Sequence, residues 1–230
     1  MRRASGDADV TVQGAALVAT TDGALVWPAE SLLVVADLHL EKGSAYAERR
    51  VFLPPYDTAA TLARLGRLIA RHAPRRLVFL GDTFHDRRAE ARLAFPDREK
   101  LTGLLARREA VFIAGNHDPK APSDLAGDAM AELTIGPLTF RHEPRETPAP
   151  GEIAGHLHPV ARVAARGRSI RRRCFVGDGT RLILPALGAY AGGLNVRDPA
   201  FRPLFRDGFT AHVMGDERVF AFPRHRCLGE

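Results

Sequence analysis

The run Leu32-Leu33-Val34-Val35-Ala36, followed at once by Asp37-Leu38-His39, decides how this chain folds. Continuous apolar residues over so short a span predict a strand covered on both faces, and its exit carries a carboxylate and an imidazole two residues apart. The pattern recurs. Leu77 to Leu80 runs into Gly81-Asp82, Val111 to Ala114 into Gly115-Asn116-His117-Asp118, Leu138 to Phe140 toward His142, and Ile153 to Ala154 into Gly155-His156-Leu157-His158. Between the first three of these strands lie helical patterns. Asp57 to His72 repeats Leu62, Leu65, Leu68 and Ile69, with Asp57 or Thr58 able to cap its start, and Asp97 to Arg107 turns Leu101, Leu104 and Leu105 to one face. Alternating strand and helix predict an α/β sheet, which gathers its ligands at the carboxyl ends of the strands.

Working outward, Val10 to Val12, Ala16 to Thr20 and Ala24 to Trp27 read as short strands around the Asp22-Gly23 turn. After His158 the chain is strand-rich, with Cys174 to Val176, Arg181 to Leu184, Thr210 to Met214 and Val219 to Phe222 separated by turns such as Asp178-Gly179 and Gly215-Asp216. Pro119 to Asp128 and Pro144 to Pro150 read as loops. Two packed sheets with helices outside account for both halves, in one domain over residues 1–230 with no internal repeat.

The residue types at the strand exits are metal ligands. Carboxylate with imidazole suits Zn, Fe or Mn, whereas an all-oxygen set would point to Ca or Mg. Cys174 and Cys227 are the only cysteines, which argues against thiolate ligation. At a strand end, residues two apart point to one side, so Asp37 with His39, and His156 with His158, can each grip one ion or straddle two. Asp82 is the natural bridge, because a carboxylate offers one oxygen to each of two ions. Six of the nine histidines (His39, His85, His117, His142, His156 and His158) fall in or beside these patches.

In that order, Asp-x-His, Gly-Asp, Gly-Asn-His-Asp, His and Gly-His-x-His, the motifs resemble those of the calcineurin-like binuclear metallophosphoesterases. The resemblance implies a four-layer αββα sandwich, two mixed β-sheets flanked by helices, holding two divalent metal ions. Carried over, Asp37, His39, Asp82 and His158 would hold one ion, and Asp82, Asn116, His142 and His156 the other. His117 would be the acid that assists the leaving oxygen once a shared, metal-activated hydroxide attacks phosphorus. Many members have a second Asp three residues after the Gly-Asp carboxylate to orient that histidine. Here the position is His85, followed by Asp86, and both stand open as the support of His117.

Longer stretches resemble one branch, the DNA-ligase-associated metallophosphoesterases of bacteria. They are Ala36 to Gly43, Phe52 to Asp57, Gly151 to Pro159 and Gly188 to Val196. This resemblance implies a manganese-dependent endonuclease or phosphodiesterase, with Fe or Zn as the other candidate metals. Its partner would be DNA, single-stranded or damaged, in repair, with a DNA ligase and a helicase as functional associates.

Composition agrees. The formal net charge is +6 and the pI about 10.0, an excess that suits an acidic partner. Arg162, Arg166, Arg168, Arg171, Arg172 and Arg173 share a stretch without acidic residues, beginning four residues beyond His158. They read either as DNA-backbone contacts or as a solvated hairpin turning at Gly167. Arg49 and Arg50 are further candidates for phosphate. No apolar run approaches a membrane span, and Met1-Arg2-Arg3-Ala4-Ser5-Gly6-Asp7 has no hydrophobic stretch behind its charges. A cytoplasmic protein with reduced cysteines and no membrane partner is the expectation.

Tyr190, in the glycine-rich stretch, could stack on a nucleobase or tether its hydroxyl in the core. His72 reads as structural at a helix end, and His212 and His225 as surface or core. Two other functions are open to the same scaffold. One is a phosphomonoesterase, or a cyclic-nucleotide or nucleotide-sugar hydrolase; the other is a non-catalytic binding scaffold, which would lack the histidine that stands here as His117.

Overall fold

The computed structural model describes residues 6–120, 122, 124–165 and 167–230. The first half of the chain builds a seven-stranded mixed sheet in sequence order. Strands β1 (Ala8–Val12), β2 (Ala15–Ala19), β3 (Leu25–Trp27) and β4 (Leu32–Val35) pair antiparallel, and β5 (Arg76–Leu80), β6 (Glu109–Ile113) and β7 (Asp128–Met130) then continue in parallel. Helices α1 (Lys42–Glu48), α2 (Asp57–His72), α3 (Ala89–Arg92) and α4 (Phe95–Leu105) fill the connections.

The second half forms a ten-stranded mixed sheet. Its members are β8 (Glu132–Ile135), β9 (Leu138–Arg141), β10 (Glu152–Ala154), β11 (Pro159–Ala165), β12 (Arg168–Gly177), β13 (Leu182–Ile183), β14 (Leu194–Asn195), β15 (Thr210–Met214), β16 (Val219–Pro223) and β17 (Cys227–Leu228). The central path runs β14-β11-β12-β13-β10-β9-β8, with β15 on β12, β16 beyond it, and β17 on β11.

Side-chain alternation along β4 assigns the layers. Leu32 and Val34 point toward the second sheet, where they meet Leu138, Phe140, Ile153, Phe175 and Leu182. Leu33 and Val35 point the other way, onto Leu62, Leu65, Leu68 and Ile69 of α2 and Leu101 and Leu105 of α4. Both faces of β4 are therefore dry, which is why its sequence is apolar at every position. Each of these leucines is fully buried or nearly so, and truncating one to Ala would cost about 2–5 kcal/mol.

The outer face of the second sheet is covered more thinly. Val196, Phe201, Leu204, Phe205 and Phe209 lie over Cys174, Val176, Ile183, Ala211 and Val213. Pro199 and Pro203 restrict helical growth in this segment, so the fourth layer is coil with one 3-10 turn, Pro199–Phe201, capped where the Asp198 carboxylate accepts from the Ala200 amide at 2.9 Å.

One expectation about α2 fails instructively. Neither Asp57 nor Thr58 caps the helix, whose N-cap is Tyr56 without a side-chain bond. Both side chains serve the segment leaving His39 instead. Asp57 Oδ2 accepts from the Gly43 amide at 2.9 Å, while the Thr58 hydroxyl accepts from the Glu41 amide at 2.9 Å and donates to Glu41 Oε1 at 2.8 Å. Among the described residues no helix is long and apolar enough to cross a membrane.

Candidate metal centre

Parallel pairing of β4, β5 and β6 makes Asp37, Asp82 and Asn116 leave one edge of the first sheet side by side. The parallel pair β9 and β10 delivers His142 and the His156-Leu157-His158 segment from the second. Backbone bonds continue past the strands and lock the exits together. The amides of Asp37, His39 and Leu40 donate to the carbonyls of Gly81 (3.4 Å), Asp82 (2.8 Å) and Thr83 (2.9 Å), and that of Gly155 donates to His142 at 3.0 Å.

The side chains of Asp37, His39, Asp82, Asn116, His142, His156 and His158 meet in two groups. In the first, His39 Nε2 and His158 Nε2 are 3.2 Å apart and Asp37 Oδ1 is 3.3 Å from His158 Nε2. In the second, His142 Nε2 lies 2.8 Å from Asn116 Oδ1 and 3.1 Å from His156 Nδ1, which is itself 3.1 Å from Asn116 Oδ1. Asp82 Oδ2 stands between them, 3.8 Å from His39 Nε2 and 3.5 Å from His142 Nε2.

Strand alternation does not aim these pairs. Asp37, His39, Asp82, His156 and His158 all have left-handed backbones, with φ of 53°, 45°, 47°, 67° and 45°. Side-chain residues rarely adopt that conformation, and each instance costs on the order of 1 kcal/mol. The Asp-x-His and His-x-His pairs therefore face inward because the chain has left the strand, and the strain is concentrated at the residues that would bind. Gly81 shares the left-handed turn at φ +71°, and a Cβ there would lie 2.5 Å from the His142 ring. At Gly188 a Cβ would lie 2.3 Å from the Leu38 carbonyl, so the glycine-rich segment packs its backbone against the Asp37 loop.

Outer partners fix the orientations. Asp37 Oδ2 accepts from the His156 amide at 3.0 Å, and Asp82 Oδ1 from the His117 amide at 2.9 Å. His142 Nδ1 donates to the Leu80 carbonyl at 2.9 Å, which turns Nε2 toward the group. Burial, then the neighbouring His158, His117 and His85, holds the His39 imidazole far below its ordinary pKa, and burial followed by His142 lowers that of His156. Carboxylates, an amide oxygen and imidazole nitrogens thus converge, with burial disfavouring the protonated form of His39 and His156. A cation is the counterpart such a set lacks, and its nitrogen and oxygen donors fit a transition metal.

His117 lies at the solvent edge of this cluster. Its Nδ1 is 2.7 Å from the backbone carbonyl of His85, an acceptor only, so Nδ1 carries the proton and Nε2 is left free. The choice between His85 and Asp86 thus has a third answer. The His85 side chain stacks on the His117 ring, with centroids 5.2 Å apart, while Asp86 turns away to a two-pronged pair with Arg92 at 2.7 and 3.1 Å. Burial, then Lys42, lowers His85 to a pKa of about 4. The imidazoles of His39, His85 and His117 also lie close enough to share an ion, although the carbonyl bond occupies one nitrogen of His117.

Asp118, for which the sequence offers no separate role, and Arg173, read there as a DNA contact or part of a solvated hairpin, complete the site. Asp118 Oδ2 accepts from the Phe84 amide at 3.0 Å, tying the Asn116 loop to the Asp82 loop, and burial raises its pKa to about 7. Arg173 donates to the carbonyls of Ala186, Gly188 and Ala191 at 2.9, 2.7 and 3.1 Å, and burial lowers it to about 10. It holds the glycine-rich segment in place and is not available to phosphate.

The other arginines lie on the antiparallel hairpin of β11 and β12, which turns through Gly167. Arg168 is exposed; Arg171 is engaged by Glu230 at 3.2 Å and the Gly193 carbonyl at 2.6 Å, and Arg172 by Asp216 at 3.2 Å. Arg166 lies outside the described residues. Arg49 and Arg50 are exposed just beyond α1. Tyr190 takes the tethered form, donating to the Pro54 carbonyl at 2.7 Å. His72 is buried, and His225 is exposed.

The chain belongs to the calcineurin-like phosphoesterases, whose family profile matches residues 31–164. Such enzymes are hydrolases of phosphoester bonds that use divalent metals, which accords with the His and Asp groups described above. Among solved structures it is similar to the Pseudomonas putida nuclease MPE, at 33% identity over 94% of this chain and 100% of that one, with a TM-score of 0.69. It also matches Yfce, a phosphoesterase from E. coli, at 16% identity over 84% of this chain and 98% of that one, with a TM-score of 0.43. No curated protein matches it.

Proposed function

We propose that this protein is a dinuclear-metal phosphodiesterase that cuts DNA, with Mn2+ as its preferred ion and Fe or Zn as the alternatives. The observation that carries the reading is the position of Asp82 Oδ2, within 4 Å of an imidazole nitrogen from each of the two groups. A carboxylate there can serve two ions at once. Asp37, His39 and His158 would complete one coordination set, and Asn116, His142 and His156 the other. When bound, such a pair supplies an activated water and neutralises charge on the phosphoryl group.

The remaining work falls to the chain itself. His117, held through Nδ1, would act as the acid in its doubly protonated imidazolium form, giving its Nε2 proton to the departing alkoxide and keeping the Nδ1 proton on the His85 carbonyl. Stacking on His85 and the hydrogen bond that its backbone N–H donates to Asp82 Oδ1 keep it beside the reacting group. Similarity to a nuclease and the net charge of +6 support a nucleic-acid substrate, with Arg49, Arg50 and Arg168 available for its backbone. The long stretches around Asp37, Phe52, His156 and Tyr190 support the ligase-associated branch, with a place in DNA repair beside a ligase and a helicase.

The test is to strip the protein of metal and offer single-stranded DNA, duplex DNA, a nucleoside monophosphate and a 2′,3′-cyclic nucleotide with Mn2+, Fe2+ or Zn2+ added singly. Cleavage of DNA restored by Mn2+, and suppressed steeply by salt, is the expected result. Turnover confined to the small compounds would overturn the assignment.

A further inference from the structure

The loop between α1 and α2 exposes apolar surface that the fold does not explain. Phe52 is 82% exposed, Tyr56 68% and Val51 49%, three exposed large apolar side chains within six residues, whereas most others are buried and Phe95, at 70%, stands apart. Its neighbours Arg49 and Arg50 are also exposed, and among the described residues neither guanidinium has a hydrogen-bond or ion-pair partner. The loop is held firmly nonetheless. The Val51 amide donates to the Tyr46 carbonyl at 3.0 Å, Pro54 and Pro55 restrict the backbone, and the Tyr190 hydroxyl bonds the Pro54 carbonyl at 2.7 Å. The residue it is bonded to reaches the centre: Tyr46, in α1, has its ring 6.0 Å from that of His85, which stacks on His117.

We infer that Phe52, assisted by Tyr56, is a stacking platform for unpaired nucleobases of the strand being cut. This rests on the nucleic-acid reading above and assigns the residue that favours single strands. An aromatic face binds any base that its own neighbours do not cover, and in a duplex those faces are already occupied. Arg49 and Arg50 would hold the phosphates on either side of the stacked base, which an apolar protein partner would leave unpaired. Because the loop is anchored before binding, little ordering cost offsets the stacking. Tyr190, the aromatic that the sequence alone brings forward, instead positions this loop.

The experiment compares the wild-type full chain with Phe52→Ala and Phe52→Trp. Binding is read by fluorescence anisotropy of a labelled oligothymidylate in EDTA, and cleavage with Mn2+ is read on that oligonucleotide, on an abasic one of equal length and on bis(p-nitrophenyl) phosphate. Phe52→Ala should weaken oligothymidylate binding about tenfold, the range expected for one lost base stack. It should leave the abasic strand and the small diester unchanged, and Phe52→Trp should restore binding. Equal loss on the abasic strand, or unaltered oligothymidylate binding, overturns the platform while leaving the phosphodiesterase reading intact. A wild type that hydrolyses the small diester but neither binds nor cuts the oligonucleotide overturns both.

Discussion

Asp82 holds two parts of the centre at once: its Oδ1 accepts the backbone amide of His117 at 2.9 Å, while its Oδ2 faces His39 and His142. Whatever seats a cation against Asp82 therefore also sets the position of the histidine expected to deliver the proton.

That coupling separates the role of His117 from a ligand's role. His117→Ala should keep the metal content of the wild type and lose about 100-fold to 10,000-fold in cleavage of DNA, the usual contribution of a general acid. The loss should shrink to a few-fold on bis(p-nitrophenyl) phosphate, whose leaving group departs without a proton. Metal analysis beside the two rates checks this, and a variant depleted of metal would make His117 a ligand.

Gly81→Ala places a methyl group 2.5 Å from the buried His142 ring on a left-handed backbone. Steric and conformational costs act together, so the metal-free protein should lose about 2 kcal/mol or more in denaturant unfolding. Since His142 must move, Mn2+ should also raise the melting temperature less than it does for the wild type. Unchanged stability and an unchanged Mn2+ effect would show that the turn has room to give.

Asp118 predicts a pH dependence. Burial raises its folded pKa from the ordinary carboxyl value of 3.8 to about 7, so between those values the folded chain holds a proton that the unfolded chain has released. Folding stability from this group is therefore fully present below pH 3.8 and lost as pH rises toward about 7. In metal-free protein, Asp118→Asn should flatten that part of the stability profile while preserving an oxygen for the Phe84 amide. A profile identical to wild type would remove Asp118 as the source.

Arg49 and Arg50 should act through phosphate. Replacing both with Ala should weaken DNA binding across sequences alike and reduce the slope of log affinity against log salt by about 0.7 for each single-strand phosphate no longer neutralised. Arg171→Ala should do less, because Glu230 and the Gly193 carbonyl already occupy that guanidinium. Equal slopes for all variants would remove the loop from the binding surface.

Much of the architecture was legible because the constraint acts locally. Leu32 to Ala36 must be a strand buried on both faces, and three such runs separated by helical patterns leave little choice but a parallel sheet whose exits gather Asp37, Asp82 and Asn116. The support of His117 was not legible, since the group involved is a backbone carbonyl, and no side-chain motif announces one. Nor was the left-handed path through Asp37 and His39, whose segment beyond β4 is bonded to the loop after β5. Arg173 sat among arginines of identical appearance, and only its pairing opposite Val160 brings it against the carbonyls of residues 186–191. Helix α1, at seven residues, is too short for periodicity to reveal.

Anomalous diffraction from crystals grown with Mn2+ tests the central claim most directly. Two peaks about 3.5–4 Å apart, with the Asp82 carboxylate between them and Asp82→Ala abolishing the pair, are expected. One peak alone, or two that Asp82 does not join, would contradict it.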